Sequence, residues 1–495
     1  MLQANEPSKS ASCLKLCLFL SLSLFAWHIG IQAARATTWT VCQTPLPSEP
    51  PCDFTSIQTA ISSSMVMNND ILEFPVNKEI YNETITLSKS LTFVGQTTTI
   101  DAQNGGTAVI ITGNPTVVMQ NMIIQNGSVS GNGGGIRLSG GDLTLTNVTL
   151  SSNDASGTGT GLGGGLYIAS SGSEVQLTDV TIQTGTAVSG GGIYNNGTLT
   201  ATNLTLTDNS ATDGGGLFNS GSATVDESSI QRNEATASGG GIFNDTGASF
   251  TLENSDVSNN DAADGAGIAN EGSLQLTNTN LGSGNVATDA GGGLFNSGQA
   301  TLTNSTVVQN DGGTGAGIYN EDTLIANNST LSRNEGANGA GLYNQSGTAT
   351  LNNVTIHLTI GASLFANGGT VTVGNSILSS VSGQDACGGG GTVNSNGYNL
   401  ANDQTCTFLS AANGDLEGID PGLNGITSPT NGAAYHVPKL TSPVVDVGNP
   451  ATPGSGGAAC LASDQRGLAR PQALGCDIGA VEIVVNRLYV PSMTR

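Results

Sequence analysis

Charged and aromatic side chains are scarce in this chain. Asp, Glu, Lys and Arg make up 10% of its 495 residues, and Phe, Trp and Tyr only 4%. An ordinary globular domain is about 25% charged. The helix formers Lys, Glu, Gln and Arg are therefore too few for a typical helical or α/β enzyme. Basic residues are the scarcest: 13 Lys and Arg stand against 37 Asp and Glu, a net charge of −24. A nucleic-acid partner requires a basic footprint, so none is expected, and anionic membrane surfaces are disfavoured. No C-x-x-C pair occurs and histidine is limited to three residues, which argues against zinc. Glycine is abundant, at 71 residues. It lacks the Gly-X-Y period of collagen.

The amino terminus reads as an export signal. Lys9 and Lys15 precede an apolar run at 16–31, and Ala34-Arg35-Ala36 is a small-residue cleavage site. The run is short for a membrane span. Cleavage after Ala36 is expected, and no other apolar run is long enough for the mature chain to cross a membrane. Six cysteines remain after the signal and fall into three close pairs: Cys42 with Cys52, Cys387 with Cys406, and Cys460 with Cys476. Local disulfides formed in an oxidising compartment are the expectation.

The middle of the chain is one repeat. A glycine cluster followed by an aliphatic residue recurs at 133–136, 163–166, 190–193, 214–217, 239–242, 265–268, 291–294, 315–318 and 339–342, with a degraded copy from Gly361. Spacings of 22–30 residues mark a solenoid. The second half of each repeat follows Leu143-Thr-Leu145-Thr-Asn147-Val-Thr-Leu150, an alternation with strand period. Leu145 and Leu150 are five apart, and an odd step flips the facing side. The chain must therefore bend near Asn147, a residue type that tolerates the left-handed conformation. Such short strands bury a face only by stacking on the next repeat.

The expected fold is all-β: a right-handed parallel β-helix of about 10–13 coils, with ~25 residues per coil. An N-terminal helical cap and a disulfide-bearing C-terminal cap would close it. The chain divides into a signal (1–36), an N-terminal cap with irregular coils (37–120), repeats (121–380), a C-terminal region (381–484) and a tail (485–495). Phe54, Ile57, Ala60 and Ile61 have the helical spacing of the first cap, with Thr55 as its candidate N-cap.

Several columns run through the repeats. The aliphatic one (Ile136, Leu166, Ile193, Leu217, Ile242 and their successors) would fill the interior. One polar ladder is Asn147, Asp179, Asn203, Glu227, Asn254, Asn278, Asn304, Asn328, Asn353 and Asn375. The other is Asn195, Asn219, Asn244, Asn270, Asn296, Asn320 and Asn344. Amides carry both donors and an acceptor, so stacked amides can bond along the axis. Internal ladders are preferred over a carbohydrate-binding row. The aromatic column, from Tyr167 and Tyr194 to Tyr343 and Phe365 with a break at Ala269, reads either as stacking between coils or as a sugar platform.

The run Gly-Gly-Gly-Leu-Phe-Asn at 214–219 and 291–296 resembles the repeats of bacterial polymorphic outer-membrane proteins. About residues 50–380 look like bacterial right-handed parallel β-helix proteins of the pectin-lyase-like class. The segments around Asp446, Asp464-Gln-Arg466-Gly-Leu-Ala-Arg470-Pro and Cys476-Asp477-Ile-Gly479-Ala-Val-Glu482 are similar to the choice-of-anchor Q domain. That resemblance implies a bacterial protein that is secreted or displayed on the cell surface, and it implies no chemistry. The two arginines beside Asp464, Asp477 and Glu482 have a catalytic reading, but ion pairs holding a small cap are expected.

Pectin-lyase-like folds often cleave polysaccharides, so an enzyme has to be weighed. A polyuronate lyase needs an Arg or Lys base beside carboxylates that hold calcium. No lysine occurs between Lys89 and Lys439, and only Arg137, Arg232 and Arg333 lie within the repeats. Arg232 and Arg333 share one repeat position, which marks a repeat feature. His357 stands alone. No catalytic or cofactor motif is found, and no cofactor is expected; Asp261 to Asp264 and Glu321-Asp322 are at most weak surface calcium sites. A non-enzymatic role in adhesion, recognition or structure is the expectation, with a polysaccharide or another surface component as partner. The alternative is a polysaccharide lyase or glycoside hydrolase. Ice binding through the column Thr144, Thr200, Thr224, Thr251, Thr301, Thr350 and Thr372 is a third and lesser reading.

Overall fold

Alternation puts the aliphatic residues of every repeat on one side of each strand, and a computed structural model shows what that side faces. It describes residues 36–43, 51–157, 159–429 and 432–484. Residues 1–35 of the expected signal and the tail 485–495 lie outside them. The described chain winds into a right-handed parallel β-helix. One coil runs through the short strand Ile193–Asn195, the long strand Thr198–Thr207 and the strand Ser210–Asp213, then enters the next short strand, Leu217–Asn219. The short strands stack into a 13-stranded sheet. The long strands form a 25-stranded sheet folded along a corner, and a six-stranded sheet flanks the middle coils.

The corner arises where the sequence requires it. Asn147, Asn203, Asn254 and Asn353 have φ of 52°, 54°, 46° and 51°. One left-handed residue restores the facing side after the odd step, and Asn adopts that conformation at little cost. A second left-handed column was not foreseen. It passes through Ser152, Thr184, Asp208, Arg232, Asn259, Ser283, Gln309 and Arg333, with φ between 52° and 59° except for Thr184 at 51°. The third corner belongs to glycine. Gly214 has φ 64°, and a Cβ there would meet the Leu217 carbonyl oxygen at 2.7 Å.

The aliphatic column lines the interior: Ile136, Leu166, Ile193, Leu217 and Ile242 are fully buried and share one cluster with Leu199, Leu204 and Leu206. At the N-terminal end the helix Ile57–Ser62 covers the stack with Ile57, Ala60 and Ile61. Its cap is Ser56, not Thr55: the Ser56 hydroxyl accepts from Thr59 N. The Glu83 carboxylate also accepts from Ile57 N at 2.8 Å and Gln58 N at 3.0 Å. A carboxylate favours that position because it satisfies orphan donors at the positive end of the helix.

The C-terminal region has two parts. Strands Thr392–Ser395, Leu400–Ala401 and Leu416–Glu417 continue the stack and close its far end, with Cys387–Cys406 bonded beside them. From Pro421 the chain reverses. The antiparallel ribbon Leu423–Thr427 and Tyr435–Pro438, and the loops up to Val484, lie back along the flank of the solenoid over the asparagine corner. This arm carries the Cys460–Cys476 disulfide; Cys42–Cys52 closes the loop at the other end of the molecule.

Candidate functional site

The arm gives chemically equivalent corner positions different surroundings. Asn147, Asn203 and Asn254 are exposed, Asn278 and Asn304 half-buried, and Asn328, Asn353 and Asn375 buried. In the open coils the corner side chains bond to each other: Asn203 Nδ2 donates to the Asp179 carboxylate at 2.6 Å, and Asn278 Nδ2 to Asn254 Oδ1 at 2.7 Å. Under the arm they bond to it instead. Asn328 Nδ2 donates to the Ser463 carbonyl at 2.8 Å, and Asn353 Oδ1 accepts from Leu461 N at 2.9 Å. Asn375 Oδ1 accepts from Asn449 N at 2.9 Å. The outward hydroxyls of the following half-strand do the same. Thr330 donates to Gln465 Oε1 at 2.6 Å, and Thr355 accepts from Ala480 N at 2.9 Å.

The second ladder lies inside. Asn195, Asn219, Asn244, Asn270, Asn296, Asn320 and Asn344 are fully buried. Each Nδ2 from Asn195 to Asn320 donates to the next Oδ1 at 2.7–2.8 Å. A third ladder escaped sequence reading: Asn153, Asn209, Asn233, Asn260, Asn285, Asn310 and Asn334, each at most 1% exposed. Asn233 Oδ1 accepts from Asn209 N at 3.1 Å, and Asn209 Nδ2 donates to the Ile182 carbonyl at 3.0 Å. Its signal was legible, since an Asn follows the left-handed position in most coils.

The aromatic column points outward and is half-buried, apart from the more deeply buried Phe243. Tyr194, Phe218 and Phe243 stack face to face at 5.1 and 4.9 Å, as do Phe295, Tyr319, Tyr343 and Phe365 at 5.1–5.3 Å. The faces a sugar ring would use are occupied by neighbouring coils, and the ring edges face outward. Beside this column are the carboxylates of the six-stranded sheet. Burial, then the charge of Glu234 in the adjacent coil, raises the Asp261 pKa. Burial and Asp289 do the same to Asp264. Among the described residues no three His, Cys, Asp or Glu side chains converge as a metal site.

Asp446, Asp464, Arg466, Arg470, Asp477 and Glu482 come together inside the arm. Arg470 Nη1 meets Glu482 Oε1 at 2.7 Å with both side chains buried, and Arg466 pairs with Asp464 at 2.7 Å. Asp446 N donates to Asp477 Oδ1 at 2.8 Å, and Asp446 Oδ1 accepts from Leu474 N at 2.8 Å. Burial and the Glu482 charge push Asp477 up to about 7. These groups hold the loops of the arm together: Arg470 Nη2 also donates to the Gly479 carbonyl at 2.8 Å. Arg232, on the open flank, pairs with Asp208 one coil away at 2.9 Å, both in left-handed corners.

Several concavities border the arm. The first, of about 660 Å³, lies between its ribbon and the open coils. Asn203, Thr205, Glu227, Ser229, Asn254, Asp256, Asn278 and Asn280 line its floor, and Ile426, Ser428 and Pro429 its wall. Asp256 accepts from Asn280 Nδ2 at 2.7 Å and from Ser258 Oγ at 2.6 Å. Asn280 Oδ1 and, just under the ribbon, Asn304 Oδ1 are buried acceptors with no partner among the described residues. The second concavity, of about 640 Å³, gathers His357, Asp403, Asp420 and Lys439. Burial, then the neighbouring His436, lowers His357 to about 4, and its Nδ1 lies 3.3 Å from Ser379 Oγ.

No family profile and no curated protein sequence matches the chain. Among solved structures, the crystal structure of a pectate lyase aligns with 91% of this chain and 98% of its own, at 12% identity and a TM-score of 0.28. At that level the alignment adds nothing to what the strand register shows. No described helix is long and apolar enough to cross a membrane.

Proposed function

We propose that this chain is an exported bacterial protein, secreted or held at the cell surface, that binds an extended neutral glycan or similar surface polymer along its open flank without cleaving it. The observation that carries this reading is the groove against the arm. Its floor repeats amide, hydroxyl and carboxylate groups at the coil spacing of about 4.8 Å. Repeated weak contacts in register suit a repeating polymer, because each further contact is intramolecular. Among the described residues no Lys, Arg or His lines this groove, Arg466 in the adjoining hollow is paired with Asp464, and Asp256 has both oxygens engaged. That content suits hydrogen bonding to hydroxyl groups and leaves no cationic base for polyuronate elimination. The excess of acidic residues disfavours anionic polymers. Three disulfides fit an oxidising compartment.

The polysaccharide lyase or hydrolase reading keeps one specific observation. The second concavity collects a lysine, a histidine and two aspartates. The chain from Thr37 should be incubated with neutral polysaccharides and polyuronates, with and without calcium, following both retention and new chain ends. Retention on a neutral polymer, weakened about tenfold or more by Asn254→Ala with Asn280→Ala, is the expected result. Turnover abolished by Asp420→Asn or Lys439→Ala would overturn it and place an active site in the second concavity.

A further inference from the structure

The first strand, Thr38–Thr40, is held by a buried carboxylate. Asp70 is 4% exposed. Its Oδ1 accepts from Thr37 N at 2.8 Å, and its Oδ2 from Trp39 Nε1 at 2.9 Å and Met67 N at 2.8 Å. All three donors are neutral, and no ion pair to Asp70 is formed among the described residues. Lys89 acts on it only through space, because its ammonium is bound to the carbonyls of Ile61, Ser63 and Val66 at 2.7–2.8 Å. A carboxylate out of water gains from a cation, and a charged donor bonds more strongly than a neutral one. Thr37 is also the residue that follows Ala34-Arg35-Ala36, and both Ala36 and Thr37 are exposed.

We propose that the Ala36–Thr37 bond is hydrolysed during export and that the α-ammonium this frees on Thr37 pairs with Asp70, locking the N-terminal cap onto the solenoid. A peptidase that reads small residues adds water across the amide. Ala36 leaves as a carboxylate, and the Thr37 nitrogen becomes an ammonium where the amide already donates. The processing step rests on the exported reading above; the pairing does not. Cleavage thus turns an existing neutral hydrogen bond into a charged one, and the cap tightens only in the processed chain.

The chain carries its own probe. Of its two tryptophans, Trp27 lies in the signal and Trp39 bonds Asp70. Purified chains beginning at Thr37 or at Ala36 should be compared, each with Asp70 and with Asp70→Asn, by following Trp39 fluorescence through urea. The Thr37 start should disfavour cap opening on the order of tenfold relative to the Ala36 start at pH 6.5. Pairing raises the amine above its usual value of about 7.7–8.0. Its stabilisation is therefore complete below that value and lost as pH rises through the raised one. The difference between starts should vanish there and in the Asp70→Asn pair. Equal opening at pH 6.5, or a difference that survives to pH 10.5, overturns the pairing even if Asp70→Asn fails to fold. Independently, the exported chain should begin at Thr37. Any other start overturns the processing step, and a chain that is never exported removes that step together with the exported reading.

Discussion

Asn203 and Asn353 fill the same repeat position with nearly the same backbone, φ 54° and 51°. Their side chains differ in what they hold. Asn203 is exposed, whereas Asn353 is buried and accepts from Leu461 N while donating to the Gly479 carbonyl at 3.3 Å. Replacing either with glycine keeps the left-handed conformation. Asn203→Gly should change stability by no more than about 0.5 kcal/mol. Asn353→Gly should cost about 1–3 kcal/mol, because it leaves buried backbone groups of the arm without partners. Equilibrium urea unfolding of the two variants checks the contrast; equal losses would mean that the arm does not depend on the corner. The sequence made the conformation legible, since Asn and Asp recur where the alternation breaks phase. It hinted at the rest: from Asn254 onward the column is Asn without exception, while the open coils also carry Asp179 and Glu227. An amide serves a docked backbone as both donor and acceptor, whereas a carboxylate can only accept.

At the scale of the element, the arm is the feature the sequence concealed. Its docking joins positions more than a hundred residues apart, such as Asn328 with Ser463 and Thr355 with Ala480. No local period encodes such contacts. The histidines show how the joint responds to acid. His436 Nδ1 lies 2.8 Å from the Asn424 carbonyl, so that nitrogen carries the proton and Nε2 accepts from Ser332 Oγ at 2.9 Å. The His357 ring abuts it edge-on at 4.9 Å between centroids. Burial lowers both pKa values, His357 to about 4, and the field of Arg333 opposes a second charge on each. The charge of Lys439 adds to this at His357 and that of Asp420 opposes it. A folded pKa below the usual 6.5 means that the unfolded state binds more protons between the two values. Stability from these groups is therefore full above about pH 6.5 and lost as pH falls toward 4. Docking of the arm, read by limited proteolysis after Pro421, should weaken across that window. His436→Gln with His357→Gln should flatten the profile there. An unchanged profile in the double variant would assign the acid sensitivity to carboxylates instead.

For the whole molecule, stability is carried coil by coil: apart from the arm, each coil pairs only with its neighbours. That is why a one-dimensional reading recovered the fold: the spacing of the glycine clusters fixes the register that pairs Ile193 with Leu217 and Asn195 with Asn219. Where the spacing slips, the structure absorbs the extra residues in loops and keeps the columns aligned, as at Asp245–Ala248 between paired strands. The architecture therefore makes a strong demand on deletions. Removing residues 190–213 joins Ser189 to Gly214, two positions that already follow and begin equivalent turns; one interior ladder then starts at Asn219, and in the other Asn233 takes the place of Asn209 beside Gly185. The shortened chain should fold cooperatively with unchanged β-structure, and its longest dimension by small-angle scattering should fall by about 4.8 Å. Removing only 190–201 should instead prevent folding, because half a coil places Thr202 at the glycine corner of Gly190 and Thr205 where the buried Ile193 belongs. If both deletions were tolerated alike, the columns would not be what holds the coils in register. If neither were tolerated, the coils would cooperate over a longer range than their contacts allow.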